Sequence, residues 1–217
     1  MRLFELINFE PKNTKRDYKT HANRISDTTK SKYQGSGHFA KVSHHDTPKR
    51  QNQVRKSGVA GMIGLDHPRR VTDPAEDGYL CYIKMVVESG NKNPYFPRIH
   101  NVKTFRAPDG TIYYDVDLEK LYPYETEEIS GNEDLISSLR DRMFIDDENT
   151  KDDGISSLIL NSDYDVSHIK DPKLKEAIIK IQAVAKEGDH SWDLGPSNMM
   201  WRITGNMPQL VFTDPIA

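Results

Sequence analysis

An internal disulfide is excluded, because Cys81 is the only cysteine among 217 residues. A lone thiol inside the apolar stretch YLCYIKMVV fits a reducing compartment and a small packed hydrophobe better than a nucleophile. The chain also lacks any apolar run near the roughly 18 residues that cross a bilayer, and its start, MRLFELINFEPK, lacks the apolar core of a signal peptide. These absences predict a cytoplasmic protein with no membrane partner. No sign of charge dominates, since 30 Lys and Arg stand against 33 Asp and Glu. The distribution is uneven all the same, with a basic excess from Lys12 to Lys56 and an acidic one from Asp115 to Asp165. Few aromatics interleave the basic half, which argues against nucleic acid as a partner and for a solvated face.

What is present is a polar chain with 35% hydrophobic residues, 13 Gly and 12 Pro, long enough for one two-lobed domain or two small ones. Residues 1–32 are polar, basic and aperiodic apart from LFELI, which predicts an extension rather than core. From Tyr33 a glycine-containing turn, the polar stretch TPKRQNQ and then VRK predict a hairpin with a loose connection. Asp73 to Ser89 has apolar residues at helical spacing and predicts a helix ended by Gly90 and Asn91. RIHNVKTFRA and TIYYDVDLEKL, separated by Pro108-Asp109-Gly110, predict a second hairpin. EDLISSLRDRMF predicts a helix, as does KLKEAIIKIQAVAK, capped by Asp171-Pro172 and stopped at Gly188. QLVFT predicts a short buried strand. The order predicts an α+β protein with a sheet-rich lobe over 33–121 and a reduced, mainly helical lobe over 122–217, joined near Leu118 to Pro123.

The closing stretch SWDLGPSNMMWRITGNMPQLVFTDPIA supplies Asp193 and Asn198 at D-x-x-x-x-N spacing, then Asp214 after an apolar strand. Phosphoryl transfer needs a carboxylate near the attacking hydroxyl and further oxygen ligands for magnesium. Near the front, GSGHFAKV places Gly35, Ser36, Gly37, Phe39 and Val42 where backbone amides can approach phosphates, with Phe39 at the loop tip. Fourteen residues after Val42 stands Lys56, a strand-borne lysine at a distance suited to the α and β phosphates. Other conspicuous residues have plainer readings. His38, His44 and His45 fit no zinc spacing, Trp192 and Trp201 suit core packing, and the acidic run Asp146 to Asp153 has its glycine in the wrong place for a calcium loop.

On GSGHFAKV, VRKSG, NPYFPRIHNV, WDLGPSNMMWR and VFTDPIA, the sequence resembles protein kinases, most closely the early protein kinases of short-tailed bacteriophages. The likeness spans residues 33–217 and is poor from Tyr124 to Lys170. It implies a two-lobed kinase-like fold that binds ATP and Mg2+. Gly35, Ser36, Gly37, Phe39 and Val42 would cover the phosphates, Lys56 would grip them, and Glu119 to Leu121 would form the hinge against adenine. Asp193 would be the catalytic carboxylate, Asn198 and Asp214 the metal ligands, and Glu76, favoured over Glu88, the partner of Lys56. Three motifs depart from the family pattern. Ala40 replaces the third glycine, Ser191-Trp192 replaces the His-Arg ahead of the catalytic Asp, and Asp214 is followed by Pro215-Ile216 rather than Phe-Gly. The sequence reads as shortened after Asp214, so a protein-docking platform is expected from the middle segment or from a partner. The resemblance implies a serine/threonine kinase acting on host proteins in the host cytoplasm. The alternative is a pseudokinase-type module that holds a host transcription or defence factor without phosphoryl transfer, and a small-molecule phosphotransferase is a third expectation.

Overall fold

Nine strands and four helices are defined among the residues that the computed structural model describes, namely 8–13, 33–36, 40–44, 50–60, 71, 73–145, 162–205 and 207–217. The architecture is α+β. It falls into two compact units, Met1–Gly90 with Arg98–Lys120 and Asn91–Pro97 with Leu121–Ala217. The segment Asn91–Pro97, expected with the sheet lobe, therefore belongs to the second unit. No helix among the described residues is long and apolar enough to cross a membrane.

The first unit holds β1 (Asn8–Asn13), β2 (Tyr33–Ser36), β3 (Ala40–His44), β4 (Gln53–Val59), helix α1 (Gly78–Glu88), β5 (Ile99–Arg106) and β6 (Ile112–Glu119). The strands form one sheet in the order β1-β5-β6-β4-β3-β2. All neighbours are antiparallel except β1, which runs parallel to β5. Strand β1 places part of the expected extension, residues 8–13, at the edge of the sheet, with Glu10, Lys12 and Asn13 exposed. Its sequence, NFEPKN, alternates only at Phe9 and Pro11, too short a pattern to betray a strand, and an edge strand tolerates Pro11 because one side of its backbone needs no ladder partner.

The β5–β6 hairpin turns where expected. Gly110 takes φ 88°, which a side chain resists, and its N–H donates to Ala107 O at 3.0 Å. Helix α1 starts later than Asp73. Asp73 instead caps a separate 3-10 turn, Pro74–Glu76, and Asp77 caps the helix through Leu80 N–H to Oδ1 at 2.8 Å. Gly90 and Asn91, at φ 73° and 55°, end it as expected.

Every residue of β6 is buried, although Asp115, Asp117 and Glu119 alternate along it. Buried carboxylates require partners. Arg55 grips Asp117 with two bonds of 2.7 and 3.1 Å, Ser57 Oγ–H donates to Asp115 at 2.6 Å, and Arg98 N–H donates to Glu119 at 2.9 Å. The hydrogen bond to Asp117 also raises the Arg55 pKa above its ordinary value.

The second unit contains β7 (Tyr122–Pro123), α2 (Glu127–Ser130), α3 (Glu133–Met143), α4 (Pro172–Gly188), β8 (Met199–Thr204) and β9 (Met207–Phe212). Its sheet is antiparallel in the order β7-β8-β9. Helix α4 buries Leu174, Ala177, Ile178, Ile181 and Ala185, one stripe at helical spacing. Asp171 caps it with bonds from Lys173 N–H and Leu174 N–H to Oδ1. The other oxygen of Asp171 accepts from the buried Tyr95 hydroxyl at 2.7 Å.

The Tyr95 phenol carries a measurable share of this stability. Burial, and then its bond to Asp171, raise its pKa well above the usual value. Tyr95→Phe is expected to lose about 2 kcal/mol at neutral pH, because a hydrogen bond to a charged group is removed. A raised folded-state pKa contributes stability that is complete below the unfolded value, about 10, and is lost as pH rises above it. Urea unfolding at pH 7 and at about pH 11 checks both statements, and the gap between wild type and variant narrows at the higher pH.

Candidate functional site

In the first unit the sheet register sorts the predicted phosphate-contacting residues. Gly35 pairs with Val42, Val42 with Lys56, Lys56 with Val116, and Val116 with Val102. Residues directly opposite one another share a face, so Val42 and Lys56 stand side by side across β3 and β4, with Gly35 beyond them. Ser36 ends β2, while Gly37 and Phe39 lie outside the described residues. The Lys56 Nζ sits over the ring of Tyr79, 3.8 Å from its centroid.

Glu76 lies on the 3-10 turn ahead of α1 and is exposed, and Glu88 ends the helix, also exposed. Among the described residues no ion pair joins Glu76 to Lys56. Glu119 is buried, and its carboxylate and its N–H both bond to the Arg98 backbone, the latter to Arg98 O at 3.0 Å. Leu121 is buried in the second unit.

In the second unit the structure gathers Asp193, Asn198 and Asp214. After α4 the chain turns at Asp189, which takes φ 51°, and not at Gly188 as expected. Gly188 is helical, and its missing side chain matters for another reason: a Cβ would overlap the His190 ring, which would have to move. Residues 191–198 are then zipped to the end of the chain. Ser191 N–H donates to Ala217 O and Ala217 N–H to Ser191 O, both at 2.9 Å. Trp192 bridges Ile216, and Asp193 N–H donates to Pro215 O at 2.9 Å. Further along, the Thr213 N–H and hydroxyl both donate to Asn198 O, at 2.8 and 2.9 Å. Asp214 thus lies between two cross-links to the loop that carries Asp193 and Asn198.

Burial alternates sharply along the two zipped segments. Leu194 is 1% exposed and anchors the loop, leaving Asp193 exposed beside it. Pro215 and Ile216 are buried, with Asp214 half-buried next to them. The Asn198 Nδ2–H donates to Asp193 O at 2.8 Å, which directs its Oδ1, a pure acceptor, away from that bond. Beside the loop, Pro123, Tyr124, Glu125, Pro196, Ser197, Met199 and Met200 line an open groove.

This set of groups limits which cation it could hold. Among the described residues no group of three or more His, Cys, Asp or Glu is placed to bind a metal ion. A resident zinc would need such a group. Magnesium is commonly held by one or two carboxylates, with substrate phosphates and water completing its shell. The Asp214 carboxylate and the Asn198 amide oxygen are of that kind, so the residues fit a cation that arrives with a phosphate chain.

Residues that sequence reasoning missed include Tyr79, His190 and Tyr95. The apolar PYFP run inside a connection was the available signal for Tyr95. His190 offered none, because its contact with Gly188 depends on the αL turn at Asp189. The buried His190 Nε2 has no hydrogen-bond partner among the described residues. Gly188→Ala should therefore destabilise the wild type by displacing the ring, despite the roughly 1 kcal/mol that alanine offers a helix. In a His190→Ala background the same change should stabilise. Thermal unfolding of the four proteins measures this coupling.

The sequence matches no protein-family model and no curated protein sequence.

Proposed function

We propose that this chain binds Mg-ATP and transfers its terminal phosphoryl group to serine or threonine hydroxyls of host proteins, as the bacteriophage kinases it resembles do. The observation that carries the reading is the zipped loop, which brings Asp193, Asn198 and Asp214 together in the second unit. The first unit supplies independent support. A glycine-bearing hairpin is followed by the lysine strand, a helix and a second hairpin, and in the sheet order β2-β3-β4-β6-β5 Lys56 lies on β4, the third strand counted from β2. Protein kinases carry their phosphate-gripping lysine on the third strand, before the helix that orients it.

Each group has a separate task. The exposed Asp193 carboxylate accepts a hydrogen bond from the incoming hydroxyl, aligns it for in-line attack and takes its proton as the new O–P bond forms and the bond from the γ-phosphorus to the ADP leaving group breaks. Asn198 Oδ1 and the Asp214 carboxylate would hold the cation that accompanies the nucleotide. When bound, magnesium supplies charge neutralisation on the phosphates. By the resemblance, Lys56 would contact the α and β phosphates. The Glu125 carboxylate and Ser197 hydroxyl of the groove are chemically suited to a ribose diol.

A second reading, a kinase-like module that holds a host factor without transfer, is favoured by one observation: Glu76, the expected acidic partner on the helix side, is exposed on the 3-10 turn ahead of α1. Incubation with radiolabelled ATP, magnesium and host lysate separates the two. Under the kinase reading Asp193→Ala and Asp214→Ala both lose label transfer, by about 100-fold or more. Nucleotide at about 100 times its dissociation constant should also stabilise the protein by roughly 2.7 kcal/mol. Stabilisation without transfer establishes the binding module, and absence of both discards the nucleotide reading.

A further inference from the structure

We propose that the face of the Tyr79 ring, backed by Tyr114, positions the Lys56 ammonium; the consequence for phosphate binding rests on the nucleotide reading above. Lys56 Nζ lies 3.8 Å from the Tyr79 centroid, within the range where a cation is attracted by the negative face of an aromatic ring. Tyr79 cannot easily drift from this place. It is 5% exposed and lies in the first turn of α1, whose start is pinned by the Asp77 cap. Its ring packs at a tilt against Tyr114 of β6, with centroids 5.2 Å apart, and Tyr114 is 4% exposed. Directly opposite Tyr114 in the sheet is Gly58, which has no side chain to compete for the space the rings occupy. Lys56 is two residues before Gly58 on the same strand and so on the same face.

An aromatic clamp differs from an acidic one in what it leaves on the lysine. A carboxylate orients an ammonium by adding a negative charge beside it, whereas a ring face attracts it through the quadrupole and adds no net charge to repel phosphate oxygens. Helix α1 therefore controls Lys56 through ring packing, and the exposed Glu76, three residues ahead of Tyr79, is not the orienting group.

The test reads Lys56 directly. Reductive methylation with 13C-formaldehyde gives each lysine a methyl resonance, and the Lys56 signal is the one missing from Lys56→Arg. Expected is a wild-type Lys56 resonance displaced upfield by the ring current, retained in Tyr79→Phe and returned among the other lysines in Tyr79→Leu. A wild-type Lys56 resonance that already lies among the others overturns the proposal without recourse to any Tyr79 variant. So does one that is unmoved by Tyr79→Leu. Mg-ATP titration of the same proteins should show about tenfold weaker binding for Tyr79→Leu and near-normal binding for Tyr79→Phe. Equal affinity in all three overturns the positioning role. If the wild type binds no Mg-ATP while the displaced resonance is present, the clamp stands and the nucleotide reading falls.

Discussion

The hydrogen bond from Tyr95 to Asp171 holds the second unit in order. Asp171 spends one carboxylate oxygen on two N–H groups at the start of α4 and the other on the Tyr95 hydroxyl. Through that shared side chain the helix is tied to a segment distant in sequence. The same segment uses its carbonyls elsewhere. Phe212 N–H donates to Tyr95 O at 2.9 Å, and the Arg202 guanidinium donates to Pro94 O and Phe96 O at 2.7 and 2.9 Å. Asn93 closes the arrangement with a bond to Lys173 O. Buried backbone groups must find partners, and here the partners are the two elements that frame the candidate site. Helix α4 leads into the Asp193 loop, and Phe212 stands two residues before Asp214.

This arrangement explains how short polar loops hold a defined geometry. Asp193, Asn198 and Asp214 lie outside long helices and strands, yet their backbones are cross-linked at Ser191, Asp193 and Asn198 and anchored by Leu194 and Ile216. Rigid support of this kind lets an exposed carboxylate and an amide oxygen keep a fixed direction without burying charge. The cost of burial falls instead on β6, where Asp115, Asp117 and Glu119 are matched by donors from Ser57, Arg55 and Arg98. Those acids serve the integrity of the sheet and keep β4, the strand of Lys56, in register with β6.

Much of the framework was legible in the chain because local signals were strong. Pro108-Asp109-Gly110 between two alternating runs, the Asp171-Pro172 start and the apolar stripe of α4 each follow from neighbouring residues alone. Signals failed where structure depends on distant partners. Strand β1 alternates only at Phe9 and Pro11, and Pro11 argues locally against a strand, so it exists by pairing with β5. The start of α1 moved to Gly78 because Asp73 and Asp77 are both good caps and local sequence does not choose between them. Gly188 looked like a stop, but its missing side chain makes room for His190 while Asp189 takes the left-handed turn.

For the candidate site the division is similar. The sequence by itself determined that Asp193 and Asn198 share one loop, that Asp214 follows an apolar strand, and that Lys56 lies on a strand after a glycine-bearing turn. Only the tertiary structure decided that Asp214 is zipped against the Asp193 loop and that Lys56 meets the Tyr79 ring. The reason is physical: spacing along a chain fixes which residues are neighbours in a loop or strand. Contacts across strands and between helix and sheet are set by register and packing, which no local stretch encodes.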